Sequence, residues 1–331
     1  MQNLLDPAVL FFALGVFAGA VRSDLEIPPA IAKFLSLYLL MALGLKGGFA
    51  LAQSGLTTAV AVSLAAAVAM AFIVPLLGYA FLRNRVSRYD AAAVAASYGS
   101  VSAVTFVTAM QFLETAGLNF GGHMAVAMVL MESPAIIVAM LLANALRQSK
   151  GAPSLAMAGH SAGHGAGGLS MRKVLHESFT NGAQLLLLGS MAVGYFSGDA
   201  GKSTMQPFSS DLFKGMLAFF LLDMGLMVAR NFQDARKASP VLIGYAVLGP
   251  LVHAGIALGL AWALSLPVAD AALLMVLSAS ASYIVVPAVL RYAIPEANPA
   301  IYFGLSLGIT FPMNIVLGIP TYTFVARAVL G

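Results

Sequence analysis

Ten apolar runs, five on each side of one polar break, take up most of this 331-residue chain, and nearly all of its charge lies in the short segments between them. The runs fall near 7–22, 28–46, 56–82, 90–113 and 120–146, then near 177–197, 208–229, 238–264, 268–293 and 299–329. About 20 residues of helix cross the hydrocarbon core of a bilayer, so each run approximates one crossing. Soluble chains average about 25% charged residues. Here the share is 9%, against 60% hydrophobic, more apolar surface than one water-soluble core can hide. The chain reads as an all-α polytopic membrane protein.

The break at 148–171 is rich in Gly, Ser and His, including His160 and His164, and reads as a flexible linker. It divides the chain into a first five-helix unit, 1–147, and a second, 172–331. The first ten residues hold no Lys or Arg and no cleavage-site pattern follows, so the first run is expected to be a retained helix. Cytoplasmic loops carry the excess of Lys and Arg. With the N-terminus outside, thirteen of the seventeen basic residues face the cytoplasm, leaving Lys46, Lys202, Lys214 and Arg327 outside. The expected protein sits in a bacterial inner membrane with both termini outside and the linker in the cytoplasm.

Composition excludes several functions. Cysteine is absent, which removes disulfides, thiolate metal sites and Cys nucleophiles. No basic run is interleaved with aromatics, so nucleic acid is not an expected partner. His160 and His164 have a four-residue spacing but lie among glycines without a rigid scaffold, so no metal site beyond sodium is expected there. Nothing in the chain calls for an organic cofactor.

The two halves resemble each other. At a shift of 180, segment 90–110 overlies 270–290, matching Asp90 with Asp270, Ser100 with Ser280 and Ser102 with Ser282. Leu39–Leu45 similarly overlies Phe220–Leu226, and Glu132-Ser133-Pro134 falls opposite Thr310-Phe311-Pro312. A unit with an odd number of crossings must repeat upside down, and inverted repeats with broken helices at their interface build many secondary transporters.

Small and hydroxyl residues mark where such breaks would fall: Gly99, Ser100, Val101, Ser102 and Thr105 in the first unit, Ser280, Ala281 and Ser282 in the second. If each span breaks there, two half-helix N-termini meet across the repeat axis. Their unpaired N–H groups and partial positive charge suit a small anion. Tight helix packing by small residues is the other explanation of the same pattern. No Arg or Lys lies close in sequence to either segment, which favours a small monovalent oxyanion such as bicarbonate over a large dianion.

Acids inside spans mark functional positions. Glu132 precedes Pro134, whose missing N–H frees a carbonyl, and Asp223 lies in Leu221-Leu222-Asp223-Met224-Gly225. With Ser102 and Thr105 they are the expected cation-binding set. Asp90 and Asp270, at span beginnings, read as N-caps. The leading function is uptake of bicarbonate or a similar anion, coupled to sodium or protons, by alternating access. A passive anion channel of the same architecture would differ by its far higher flux. An intramembrane hydrolase using Glu132 with His123 or His253 lacks a supporting motif, so no enzyme activity is expected.

Several stretches resemble the cyanobacterial sodium-dependent bicarbonate transporters of the SbtA type and their bacterial relatives. They are Gly99-Ser100-Val101-Ser102, Leu130-Met131-Glu132-Ser133-Pro134-Ala135, Phe213-Lys214-Gly215 with Met224-Gly225, and Leu290-Arg291-Tyr292-Ala293-Ile294-Pro295-Glu296 through Ala300. That resemblance implies five-plus-five inverted repeats, a core domain moving against a gate domain, a homotrimer, sodium symport and a PII-like cytoplasmic regulator. It also implies that Ser100, Ser102, Thr105, Ser280 and Ser282 line the anion and sodium site. Two departures stand out. Tyr283 occupies the place of an acid in the second repeat, so one sodium ligand is missing, and Asp223 would return a charge to that neighbourhood.

Overall fold

The computed structural model describes residues 6–55, 57–149, 182–236 and 238–331, and among them every regular element is helical. The linker expected at 148–171, apart from its first two residues, lies outside the described residues, as do His160, His164, Lys150, Arg172, Lys173 and Lys237. The first half runs α1 (Pro7–Ala20), α2 (Pro29–Ser54), α3 (Thr58–Leu82), α4 (Arg88–Gly99), α5 (Ala103–Thr115) and α6 (Met124–Ser149). The second runs α7 (Gly182–Gln206), α8 (Phe213–Arg236), α9 (Pro240–Ala263), α10 (Val268–Ala279), α11 (Val285–Ala293) and α12 (Pro299–Leu330).

Among the described residues seven stretches are long and apolar enough to cross a membrane. One of them, Leu185–Phe232, is 48 residues long, and it holds the expected run 208–229 and the latter part of the run 177–197. It bends at Gly198, where φ is +54°, and turns through a π-helical segment at Pro207–Asp211 before α8 begins. α1 and α10 are shorter apolar helices. Two expected single spans are each split: 90–113 is α4 followed by α5, and 268–293 is α10 followed by α11.

Local chemistry sets the helix starts. Hydroxyl oxygens of Thr57, Ser87 and Ser239 accept N–H bonds from the first turns of α3, α4 and α9, and proline opens α1, α2, α9 and α12. Asp90 and Asp270 do not cap, contrary to their sequence reading. They stand within the first turns of α4 and α10, and their carboxylates reach other loops: Asp90 Oδ1 accepts the Asn298 N–H at 2.7 Å, and Asp270 Oδ1 accepts the Gly121 N–H at 2.7 Å.

The helices form two groups. α1 lies along α8 and α2 along α7, while α3 packs on α4 and α6, and α9 and α12 pack on α10. The α1–α8 crossing is close because Gly225 has no side chain; a Cβ there would fall 2.8 Å from the Val16 amide nitrogen. α4 is apolar or small on every side, from Ala91 to Ala96 each at most 1% exposed, as expected of a helix enclosed by others. Outer faces carry large apolar side chains such as Phe17, Phe196, Leu248 and Phe324, which a bilayer would cover.

Candidate functional site

Both broken segments unwind where the hydroxyl residues cluster. α4 stops at Gly99, Ser100 and Ser102 are extended, and α5 starts at Ala103. α10 stops at Ala279, Ser280 is extended, and helix resumes at Val285. A serine accepts an N–H from the first turn of each second half-helix. Ser102 Oγ accepts the Thr105 N–H at 3.2 Å and the Thr105 hydroxyl at 3.0 Å, and Ser282 Oγ accepts the Val286 N–H at 3.3 Å. Side-chain oxygens thereby satisfy donors that a helix start leaves open.

The two breaks are bonded to each other. The Ser282 N–H donates to the Ser97 carbonyl at 2.8 Å. The Ser102 N–H donates to Ser280 Oγ at 3.0 Å, and that hydroxyl passes its own proton to the Leu277 carbonyl at 2.8 Å. Gly99 sits against the ring of Pro75 in α3, where a Cβ would come within 2.7 Å of Cδ. The crossing is thus a dense polar knot inside an apolar bundle.

Residues outside the sequence-derived set support it. Asn314 Nδ2 donates to the Ala279 carbonyl at 2.8 Å, and the Tyr322 hydroxyl donates to Asn314 Oδ1 at 3.0 Å. Thr310 donates to the Ala246 carbonyl at 2.8 Å, so in its 2.6 Å contact with the Tyr98 hydroxyl it is the acceptor. Thr310 and Asn314 lie in π-helical turns of α12, Ser306–Thr310 and Asn314–Gly318. One signal pointed there: the repeat sets Thr310 opposite Glu132.

Three hydroxyls at the crossing, those of Ser97, Ser100 and Ser278, are buried and have no hydrogen-bond partner among the described residues. Buried polar atoms are nearly always paired, so such a cluster marks a place where partners change. His253 is buried on α9 and packs edge-on against Tyr245, ring centroids 6.0 Å apart. His123 lies elsewhere, its Nε2 3.6 Å from Asp270 Oδ2.

Of the expected site residues, the structure brings Gly99, Ser100, Val101, Ser102 and Thr105 together with Ser280, Ala281 and Ser282. It sets Glu132 and Asp223 on separate helices. Glu132 is half-buried on α6, which runs through Pro134 without interruption. Asp223 is buried on α8, and its neighbour Met224 accepts the Tyr283 hydroxyl through Sδ at 3.7 Å. Tyr283, packed edge-on against Phe311 at 5.4 Å, is the second break's contact with that helix. Among the described residues no group of three or more His, Asp or Glu is arranged to hold a metal ion.

A family model described as the Na+-dependent bicarbonate transporter superfamily matches residues 7–327, nearly the whole chain. No curated protein matches it.

Proposed function

The chain belongs to the Na+-dependent bicarbonate transporter superfamily, a membrane transport protein rather than an enzyme, and from that premise we propose that it takes up bicarbonate coupled to sodium by alternating access. The observation that carries the mechanism is the paired crossing of α4–α5 and α10–α11, with three hydroxyls unpartnered beside it. Bicarbonate accepts hydrogen bonds from N–H and hydroxyl groups and donates its own proton to a carbonyl. The N-terminal ends of α5 and α11 favour its negative charge. Ser100, Ser102, Thr105, Ser280 and Ser282 are the proposed anion contacts, with Ser102, Thr105, Glu132 and Asp223 offering oxygens to sodium.

The architecture we infer is ten crossings in two inverted units, 1–147 and 172–331, joined by a linker over 148–171. The exchange of anchors supports it: Asp90 of the first unit holds the loop before α12, and Asp270 of the second holds the loop before α6. The 48-residue stretch Leu185–Phe232 is long enough for two crossings at about 20 residues each. The group α1, α2, α7 and α8 is the proposed gate, and α3 to α6 with α9 to α12 the moving core. The distribution of Lys and Arg puts both termini outside a bacterial inner membrane. A homotrimer and a PII-like regulator rest on the family resemblance.

The test is uptake of labelled bicarbonate into vesicles holding the purified protein. An inward sodium gradient is expected to drive it, and Ser102→Ala or Glu132→Ala to reduce it. Uptake indifferent to sodium and to both substitutions rejects the mechanism.

A further inference from the structure

A second polar site lies one turn and more beyond the crossing. A cavity of about 580 Å³ opens between the head of α1, α5 and α12, walled by Asp6, Thr108, Gln111, Thr115, Thr323 and Arg327 among others. It therefore joins the proposed gate to the proposed core.

The protons of its hydroxyls are already committed. Thr108 donates to the Val104 carbonyl at 2.8 Å, Thr115 to the Gln111 carbonyl at 2.9 Å, and Thr323 to the Ile319 carbonyl at 2.9 Å. What these residues have left for the cavity is lone pairs. Gln111 commits one of its two amide protons in the same way. Its Nε2 donates to Thr115 Oγ1 at 3.1 Å. Because that oxygen has given its proton to a carbonyl it can only accept, which fixes the amide with nitrogen toward Thr115. The other end, Gln111 Oε1, is buried and has no partner among the described residues, on a residue only 5% exposed. Asp6 adds a carboxylate, one oxygen of which accepts the Ala8 N–H at 2.8 Å.

Among the described residues the cavity's one cationic side chain, Arg327, is exposed and donates to the Ala116 carbonyl at 3.2 Å. Its charge faces the C-terminal end of α5, where the helix dipole is negative. The inner wall is left to Thr108 and Gln111. There the Thr108 hydroxyl and Gln111 Oε1 are left as acceptors. A hard monovalent cation needs oxygen ligands.

We propose that this cleft is a sodium site through which the cation reaches the crossing, with Gln111 Oε1 and Thr108 Oγ1 as its inner ligands. Thr108 stands one turn from Thr105, which is bonded to Ser102, so the oxygens of Gln111, Thr108 and Thr105 form a stepped path inward. The proposal rests on the reading of sodium coupling, and on the orientation that puts Arg327 and the C-terminus outside.

The experiment titrates Na+, with choline balancing ionic strength, into the purified full-length protein without bicarbonate, and follows bound ²²Na+ and the melting temperature. Gln111→Leu and Thr108→Val each weaken the Na+ response by about tenfold, the loss of one contact to a charge. Gln111→Glu, which keeps the shape and adds charge, retains or tightens it. Melting in choline alone shows that the variants fold. In uptake, the Na+ half-saturation of Gln111→Leu rises while its bicarbonate KM at saturating Na+ stays put. A wild-type protein that gives no Na+ response overturns sodium coupling itself. A wild-type response that Gln111→Leu, Thr108→Val and Gln111→Glu all leave unchanged, or a bicarbonate KM that rises as far as the Na+ half-saturation, overturns this site alone.

Discussion

The amide of Ser282 donates to the carbonyl of Ser97 at 2.8 Å, so the second break is held by the last turn of the helix leading into the first. The converse bond, Ser102 N–H to Ser280 Oγ at 3.0 Å, makes the hold mutual. Neither break can open alone without stranding a buried backbone group, which costs about 1–3 kcal/mol. A motion of the core therefore carries both breaks together, and the unpartnered hydroxyls of Ser97, Ser100 and Ser278 travel with them.

Ser280→Ala tests that clamp. It removes the acceptor of the Ser102 N–H, leaving that group buried without a partner, and one of two donors to the Leu277 carbonyl, which keeps the Ser280 N–H at 3.2 Å. The expected loss of stability is about 1–2 kcal/mol, read as a lower melting temperature in detergent. Bicarbonate KM is expected to rise by about tenfold, since the start of α5 loses its tie. Unchanged melting and an unchanged KM would show that the crossing does not depend on this hydroxyl.

Much of this was legible in the residues, and what was not has a physical reason. Apolar runs, the serine-bearing breaks and their equivalence follow from composition and period, because hydroxyls in the middle of an apolar helix need a local cause. Tyr98, Thr310, Asn314 and Tyr322 did not announce themselves. Each is a single polar residue in an apolar run, and only the fold shows that Asn314 meets the end of α10 while Thr310 meets Ala246. Asp90 and Asp270 were misread as caps because a helix start is the usual place for an acid, whereas their carboxylates are engaged by loops distant in sequence.

Gly99 is expected to tolerate no side chain. A Cβ there would meet Cδ and Cγ of Pro75 at 2.7 Å and its Cβ at 2.8 Å, atoms of a rigid ring fixed in α3. Gly99→Ala should cost about 1–3 kcal/mol by overpacking and displace the first break, lowering uptake. Gly259→Ala, in α9 with nothing within 4 Å of its Cβ, is the control and is expected to be neutral or slightly stabilising. Pro75→Ala in the Gly99→Ala background should recover part of the loss, a coupling visible in a double-mutant cycle.

At the far end of α6, Arg147 donates through Nε and Nη2 to the two oxygens of Glu296, both at 2.8 Å, and through Nη2 to the Ala293 carbonyl at 3.0 Å. The guanidinium is buried while Glu296 is about one-third exposed. Removing the acid strands a buried cation, whereas removing the cation leaves an acid that water can reach. Glu296→Ala is thus expected to cost about 2–3 kcal/mol and Arg147→Met about 1 kcal/mol. Melting temperatures in the reverse order would refute this account of the pair.

The two acids that hold opposite loops allow the sharpest comparison. Asp270 is 5% exposed, accepts the Gly121 N–H at 2.7 Å and faces His123 Nε2 at 3.6 Å. Asp90 makes the matching bond to the Asn298 N–H at 2.7 Å from a half-exposed position, where water can replace it. Asp270→Ala is expected to cost about 2–3 kcal/mol and Asp90→Ala under about 1 kcal/mol. They share no partner and hold different loops, so the double variant is expected to lose their sum to within about 0.5 kcal/mol. The proposed inverted arrangement adds a functional expectation, since each acid steadies a loop of the other proposed unit, before α12 for Asp90 and before α6 for Asp270. Either substitution should lower the maximal rate of uptake more than it raises the bicarbonate KM, because the proposed anion contacts at the crossing remain. A KM effect that dominates for both would place the acids in the substrate site instead.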